Sequence, residues 1–305
     1  MKLITQERDR LGFVGIGYMG RPIAQRLLES GFQLTAYDQD RKKAEELIRS
    51  GGTVAQSVPE LSSSCNVVLS CLPSDAAVLD TYRGPEGVFA HALPGSVVID
   101  MSTVYPETSQ ELARLGTEQE VQVLDVTISG STSAAERGLL TLFGGGDKER
   151  FDSAESIFRV IAKKNFYLGP SGSGATMKLV VNTLLGIGMQ AIAEAVVLGE
   201  KAGLDRNRLL EVLSETAVVA PAHMGKLERA MRGDYTPQFP IRLMNKDFGL
   251  ILELATNVGA RMPAAGAAFE INARQSDEGV EQDFSAVILQ MEKYAHLGFN
   301  GNGKT

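Results

Sequence analysis

Residues 12–38 read GFVGIGYMGRPIAQRLLESGFQLTAYD: an apolar run, glycines at 15, 17 and 20, an amphipathic stretch, a glycine at 31, and a second β-rich run ending on Asp38. Few folds accommodate this order. Gly15 allows a tight turn out of a strand, Gly17 lets the backbone approach a pyrophosphate closely, and Gly20 lets the following helix pack closely on the sheet. Ile23, Ala24, Leu27 and Leu28 repeat at helical spacing, and Gly31 terminates them. The amides that open such a helix, near Tyr18, Met19 and Gly20, lack intrahelical acceptors and sit at the positive end of the macrodipole, which favours a phosphate. A carboxylate roughly twenty residues on, here Asp38, is placed to meet an adenosine ribose. The segment therefore predicts a strand–turn–helix–strand unit that binds a dinucleotide.

With 305 residues, 44% of them hydrophobic and 22% charged, the chain can bury two domain cores. A formal net charge of −7 provides no general attraction to nucleic acid or anionic membranes, so neither is an expected partner. Cys65 and Cys71 flank a strand-like run, and with the scattered His91, His223 and His296 they form no metal-ligand pattern. They read as buried reduced thiols. The opening MKLITQERDR has no apolar signal core and reads as a loose lead-in; a cytoplasmic location is expected.

Up to residue 170, short β-rich runs alternate with helical patterns, which predicts a mostly parallel, doubly wound α/β sheet. Strands are expected at 11–16, 33–37, 67–71, 97–100, 121–125, 139–143 and 166–168. Helices are expected at 22–30, 41–50, 75–82, 106–115 and 147–161. From Ala175 to Ala202 runs one long helical pattern, stopped by Gly203, and everything after it reads as helix. Its apolar length suits a membrane span, but Lys178, Asn182, Gln190 and Glu194 interrupt it, which favours a buried core helix. The expected organisation is a domain over 1–170 and an all-helical domain over 171–305, with the long helix joining them. The tail, GFNGNGKT, reads as frayed.

Open α/β sheets bind ligands beyond the carboxyl ends of their strands. Leu72 and Pro73 follow one such end, and Ser102 and Thr103 follow another. They would flank a nicotinamide ribose, with two hydroxyls to offer; the same residues suit ordinary turns and helix caps. Ser129, Gly130 and Ser131 form a turn of small residues whose amides can hold a carboxylate or oxyanion. In GSGATMKLVVN, Gly172 and Gly174 provide a flexible entry, and Lys178 and Asn182 lie four apart on one helical face. A lysine among valines and leucines either snorkels to water or is desolvated toward a pKa useful for acid–base chemistry. Asn245, Lys246 and Asp247 make a further polar cluster.

Together these segments resemble the β-hydroxyacid dehydrogenase family, which includes 3-hydroxyisobutyrate dehydrogenases, tartronate semialdehyde reductases and glyoxylate/succinic semialdehyde reductases. GFVGIGYMGRPIA is similar to the family's cofactor loop, DVTISGS to its substrate loop, GSGATMKLVVN to its catalytic helix and NKDFGLI to its closing motif, so the likeness spans nearly the whole chain. The resemblance implies a Rossmann-type domain followed by an all-α domain, and hydride transfer between a nicotinamide and a small hydroxy- or semialdehyde carboxylate. It implies Lys178 as general acid–base, Asn182 as its partner at the substrate, Ser129, Gly130 and Ser131 at the carboxylate, and Lys246 closing the site beside cofactor and substrate. A homodimer or homotetramer through the helical domain is implied as well. The usual Asp-Ala-Pro-Val-Ser-Gly has Val126, Thr127 and Ile128 in its middle positions here, which puts loop shape and pocket size in question.

Ser131, MKLVVN and PQFPIRLMNKD look most like the glyoxylate/succinic semialdehyde reductase branch, which usually prefers NADPH and carries Asn-Arg where this chain has Asp38 and Gln39. A carboxylate accepts ribose hydroxyls and repels a 2′-phosphate, so NAD is expected, with NADP possible through Arg41. The alternatives are an NADPH-dependent semialdehyde reductase and, in a different class, a non-catalytic NAD-binding reader protein.

Overall fold

The computed structural model describes residues 3–276 and 281–297. The chain forms two compact units, Met1–Lys178 and Leu179–Thr305, and the division falls inside a single helix.

The first unit is built from β1 (Arg10–Val14), α1 (Gly20–Glu29), β2 (Gln33–Tyr37), α2 (Arg41–Glu45) with a 3-10 turn (Glu46–Ser50), β3 (Thr53–Val54), α3 (Val58–Ser64) and β4 (Val67–Ser70). It continues through α4 (Asp75–Tyr82), α5 (Val88–His91), β5 (Val97–Asp100), α6 (Pro106–Glu118), β6 (Gln122–Ser129), α7 (Thr132–Glu136), β7 (Leu140–Gly146), α8 (Lys148–Ser153), α9 (Glu155–Ile161) and β8 (Ala162–Gly169). The strands form one eight-stranded sheet in the order β3-β2-β1-β4-β5-β6-β7-β8, parallel throughout except where β7 runs antiparallel to β6. The order reverses between β1 and β4, which opens the crevice where such sheets take ligands.

Alternation along the strands divides the core. Leu11, Phe13, Leu69 and Ile99 face a layer closed by Ile23 and Leu27 of α1 and by Phe158 of α9. Val14, Val68 and Val98 face the opposite layer, with Leu61 of α3, Tyr82 of α4, Phe89 of α5 and Leu112 of α6. Both faces of the sheet are thus covered, as near-continuous apolar strands require.

The expected strands are all present. The sequence pattern understates β8, whose exposed alternation hides an edge strand, and misses β3, α3, α5 and α7, each too short to show a period. The lead-in is docked where a loose one was expected: Ile4 is buried, its amide donates to the Ser153 carbonyl at 2.9 Å, and its carbonyl accepts from Ser156 Oγ. Cys65 is buried, and burial pushes its thiol up; Cys71 is only half-buried. Residues 298–305, the expected frayed tail, lie outside the described residues.

The long helix is α10 (Ser173–Lys201). The second unit adds α11 (Arg206–Ser214), α12 (Pro221–Met231), α13 (Ile241–Asn257), α14 (Pro263–Ser276), a 3-10 turn (Phe284–Ala286) and α15 (Val287–Tyr294). Among its described residues the only β pairing is the isolated bridge between Pro240 and Asp283. Gly186 on α10 is required for packing within this unit, since a Cβ there would press into the Phe248 ring. Ion pairs on buried carboxylates, half-buried Lys226 with Asp283 at 2.7 Å and half-buried Arg206 with Glu292 at 2.6 Å, tie α12 and α11 to the final segment.

By length and composition α10 could cross a membrane, with mean hydropathy 1.6 over an 18-residue window. The expectation of a buried core helix holds for one side only: Leu179, Asn182, Met189 and Val196 are buried, whereas Val180, Leu184 and Leu198 are exposed.

Candidate active site

Each glycine of the first turn has a distinct physical reason. Gly15 has φ +92°, and a Cβ there would run into the Cys71 carbonyl oxygen, so both conformation and space exclude a side chain. A Cβ on Gly20 would fall on the Gly15 carbonyl oxygen. Gly17 differs: a Cβ there meets nothing within 4 Å, so the space above it is open. Helix α1 starts at Gly20 with no side-chain cap and no acidic residue in its first turn. The first-turn amides thus face that opening without an anionic side chain of their own, a cradle suited to a pyrophosphate. Tyr18 is exposed and Met19 half-buried beside it.

Asp38 lies just past β2, and its carboxylate reaches back to this turn. Asp38 Oδ2 accepts from the Ile16 amide at 2.7 Å and Oδ1 accepts from the Asp40 amide at 2.8 Å. A negative charge is therefore fixed at the edge of the glycine turn. Arg41, the nearby cation, is engaged by Glu45 at 2.7 Å and by Gln56 Oε1.

Beyond β4 and β5 the two loops are joined through Ser102. Its hydroxyl donates to Asp100 Oδ1 at 2.6 Å and accepts from the Leu72 amide at 2.9 Å. Asp100 Oδ1 also accepts from Ser70 Oγ at 2.6 Å, and Ser70 Oγ in turn accepts from the Tyr82 hydroxyl. Burial pushes the Asp100 carboxyl above the usual carboxylate range. Ser102, 2% exposed, is thus a buried tie between the loops, not the open hydroxyl expected for a cofactor ribose. Half-buried Leu72 and Thr103 and exposed Pro73 remain at the loop surface.

The expected substrate loop is mostly strand. Val126, Thr127 and Ile128 are buried in β6 and pair with Gly144, Phe143 and Leu142, so their departure from the usual sequence alters the sheet interior and not a loop. The turn proper begins at half-buried Ser129, followed by exposed Gly130 (φ +142°) and Ser131. Ser131 Oγ accepts from the Ala134 amide and caps α7, which leaves its O–H available to donate.

Helix α10 begins under restraint. Its entry, expected to be flexible, is tightly packed: a Cβ on Gly174 would run into the Asp125 carbonyl oxygen, and Asp125 Oδ1 and Oδ2 accept from the Gly172 and Ala175 amides, both at 3.0 Å. Lys178 follows on this helix, half-buried, one turn before Asn182.

Within the second unit Asn182 is 1% exposed and its Nδ2 donates to Asp247 Oδ2 at 2.5 Å. Asp247 is equally buried, and its Oδ1 lies 2.9 Å from Lys246 Nζ, a charge contact without hydrogen-bond alignment. The structure thus brings together Asn182 and Lys246 through Asp247, a member of the polar cluster read from sequence to which no role was assigned there. Its signal was available: Met244, Asp247, Phe248 and Ile251 share one helical stripe, and a carboxylate on an apolar stripe needs a partner. Among the described residues no group of His, Cys, Asp and Glu could hold a metal ion.

Residues 10–169 match the NAD binding domain of 6-phosphogluconate dehydrogenase, and residues 172–291 match the NAD-binding domain of NADP-dependent 3-hydroxyisobutyrate dehydrogenase. Glyoxylate/succinic semialdehyde reductase 1 of Arabidopsis thaliana is 36% identical over 91% of this chain and 96% of its own length. The chain belongs to the β-hydroxyacid dehydrogenase family. It is, like that family's members, an NAD(P)-dependent oxidoreductase. A second relative, 2-(hydroxymethyl)glutarate dehydrogenase of Eubacterium barkeri, is 30% identical over 96% of this chain and 98% of its own. The solved structure of Mycobacterium tuberculosis 3-hydroxyisobutyrate dehydrogenase with L-serine superimposes with a TM-score of 0.81 at 28% identity, covering 93% of this chain and 99% of that one.

Proposed function

We propose that this β-hydroxyacid dehydrogenase reduces a short aldehyde bearing a carboxylate, of the glyoxylate or succinic semialdehyde type, and that it uses NADH. The observation that carries the reading is the buried Asn182–Asp247 pair with half-buried Lys246 beside it on the helical unit, and with Asn182 one turn from Lys178 on α10. Such an array has no packing reason to be polar, and its donors suit a small anionic substrate.

When bound, the nicotinamide supplies the hydride. Gly15, Gly17 and the first-turn amides of α1 would hold the pyrophosphate, and Asp38 would accept the adenosine ribose hydroxyls; Leu72, Pro73 and Thr103 would border the nicotinamide end. Amides and hydroxyls of Ser129, Gly130 and Ser131 would hold the substrate carboxylate, joined by the Lys246 ammonium. Lys178 Nζ would give a proton to the developing alkoxide, and in the reverse direction take the hydroxyl proton. Asn182, its amide oriented by Asp247, would hold the reacting oxygen and keep it aligned with Lys178.

For the cofactor, a fixed carboxylate at Asp38 favours ribose hydroxyls over a 2′-phosphate, while Arg41 is already paired with Glu45. The similarity to the Arabidopsis reductase supports the substrate class. The exposed apolar side of α10, with Leu184 and Leu198 each 73% exposed, supports a homodimer or homotetramer through the helical unit, and a cytoplasmic location fits the reading. Light scattering that finds only monomer overturns the assembly.

Initial rates with NADH and, separately, NADPH against glyoxylate, succinic semialdehyde, tartronate semialdehyde and methylmalonate semialdehyde test the reading. NADH oxidation with glyoxylate or succinic semialdehyde as best substrate is the expected result. NADPH preference refutes the role of Asp38, and silence across the panel with both cofactors refutes the reaction.

A further inference from the structure

Thr127 occupies the position where the substrate loop usually carries proline, and its hydroxyl is used. Thr127 is 1% exposed, and its Oγ1 donates to the Gly174 carbonyl at 2.7 Å. In an α-helix the carbonyl of residue 174 is the acceptor for the amide of residue 178. The hydroxyl therefore grips the very carbonyl that seats Lys178. Two residues earlier on the same strand face, Asp125 holds the Gly172 and Ala175 amides. Packing adds to these bonds: a Cβ on Gly174 would strike the Asp125 and Phe143 carbonyl oxygens, and one on Gly145 would meet Asp125 Oδ1 and the Pro170 carbonyl oxygen.

We propose that Asp125 and Thr127 are positioning residues, a three-bond clamp from β6 that fixes the rise and rotation of α10 and so the placement of Lys178. The inference rests on the proposed acid–base role of Lys178. An α-helix capped only by its own loop can slide or fray in its first turn, and Lys178 lies just beyond that turn. Amide donors on both carboxylate oxygens and a hydroxyl on the Gly174 carbonyl remove that freedom. This arrangement is particular to a chain with threonine at 127, since proline has no hydroxyl to give.

The test compares wild type with Thr127→Val, which keeps the shape and removes the hydroxyl, Thr127→Ser, which restores it, Asp125→Asn, and Lys178→Ala as reference. Steady-state kcat and NADH KM are measured per folded protein, and hydrogen exchange is followed over residues 172–182. A misplaced reacting group is expected to lower kcat by about tenfold in Thr127→Val, with NADH KM within about twofold of wild type. Thr127→Ser is expected to recover most of the rate, and both Thr127→Val and Asp125→Asn to exchange faster over 172–178. Wild-type kcat and exchange in Thr127→Val overturn the clamp, as does a rate loss that vanishes once corrected for unfolded protein. Undiminished turnover in Lys178→Ala overturns the acid–base reading itself, a failure that the clamp variants do not mimic.

Discussion

Gly17 and Gly20 lie three residues apart in one motif, and the structure assigns them opposite failure modes. A methyl group on Gly20 would fall on the Gly15 carbonyl oxygen and 3.1 Å from Phe13 Cε1. Backbone cannot move aside as a flexible side chain can, so α1 must lift from the sheet. Overpacking of this kind costs about 1–3 kcal/mol, more than the ~1 kcal/mol that alanine gains over glycine in a helix. In a unit of this size each kcal/mol moves Tm by about 2–4 °C, so after that gain is subtracted Gly20→Ala is expected to melt lower by up to about 8 °C. At Gly17 the methyl meets nothing within 4 Å, and φ is not in the left-handed region. Gly17→Ala should therefore melt at or slightly above wild type, by up to about 1 kcal/mol, because the unfolded chain loses freedom. Its penalty appears only with cofactor: a methyl where the pyrophosphate approaches costs about 1–3 kcal/mol, or about 5- to 150-fold in NADH Kd. Calorimetry for Tm and fluorescence titration for Kd separate the two. Unchanged NADH affinity in Gly17→Ala would refute the placement of the pyrophosphate, and unchanged Tm in Gly20→Ala would refute the close-packing argument.

Lys178→Ala is expected to lower kcat by about two to four orders of magnitude while NADH Kd stays near wild type; near-normal turnover rules out its acid–base role. Asp38→Asn removes the fixed charge at the glycine turn and should shift the NADH/NADPH ratio of kcat/KM toward NADPH by about tenfold or more, and a ratio that does not move shows that Asp38 does not select the cofactor. Burial pushes the Asp125 carboxyl up to about 6. It protonates more readily folded than unfolded, so its contribution to stability is fully present below about pH 3.8 and is lost as pH rises through about 6. Denaturant unfolding from pH 4 to 7 should show wild type losing up to about 3 kcal/mol relative to Asp125→Asn, which has nothing to titrate there; a pH-independent difference contradicts the burial argument.

Local chemistry was legible in the sequence because it depends on neighbours a few residues away. Glycine spacing, the helical period of Ile23 to Leu28 and the position of Asp38 are all short-range, and the structure places them as read. Lys178 and Asn182 needed only helical periodicity to fall on one face. What only the tertiary structure decided is which polar group meets which across long separations. Ser102 read either as a hydroxyl on offer to a ribose or as a turn residue, and its hydroxyl is engaged by Asp100 and the Leu72 amide, the latter 30 residues away in sequence. Gly172 and Gly174 read as a flexible entry, but Gly172 packs against α6, Gly174 packs against the Asp125 and Phe143 carbonyl oxygens, and Asp125 holds their segment from 47 residues away. Asp247, 65 residues from Asn182, gave a periodicity signal without naming its partner. A strand or helix declares itself through repeating local forces, whereas a buried hydrogen bond exists only once both partners have been desolvated together, and no local pattern specifies that meeting.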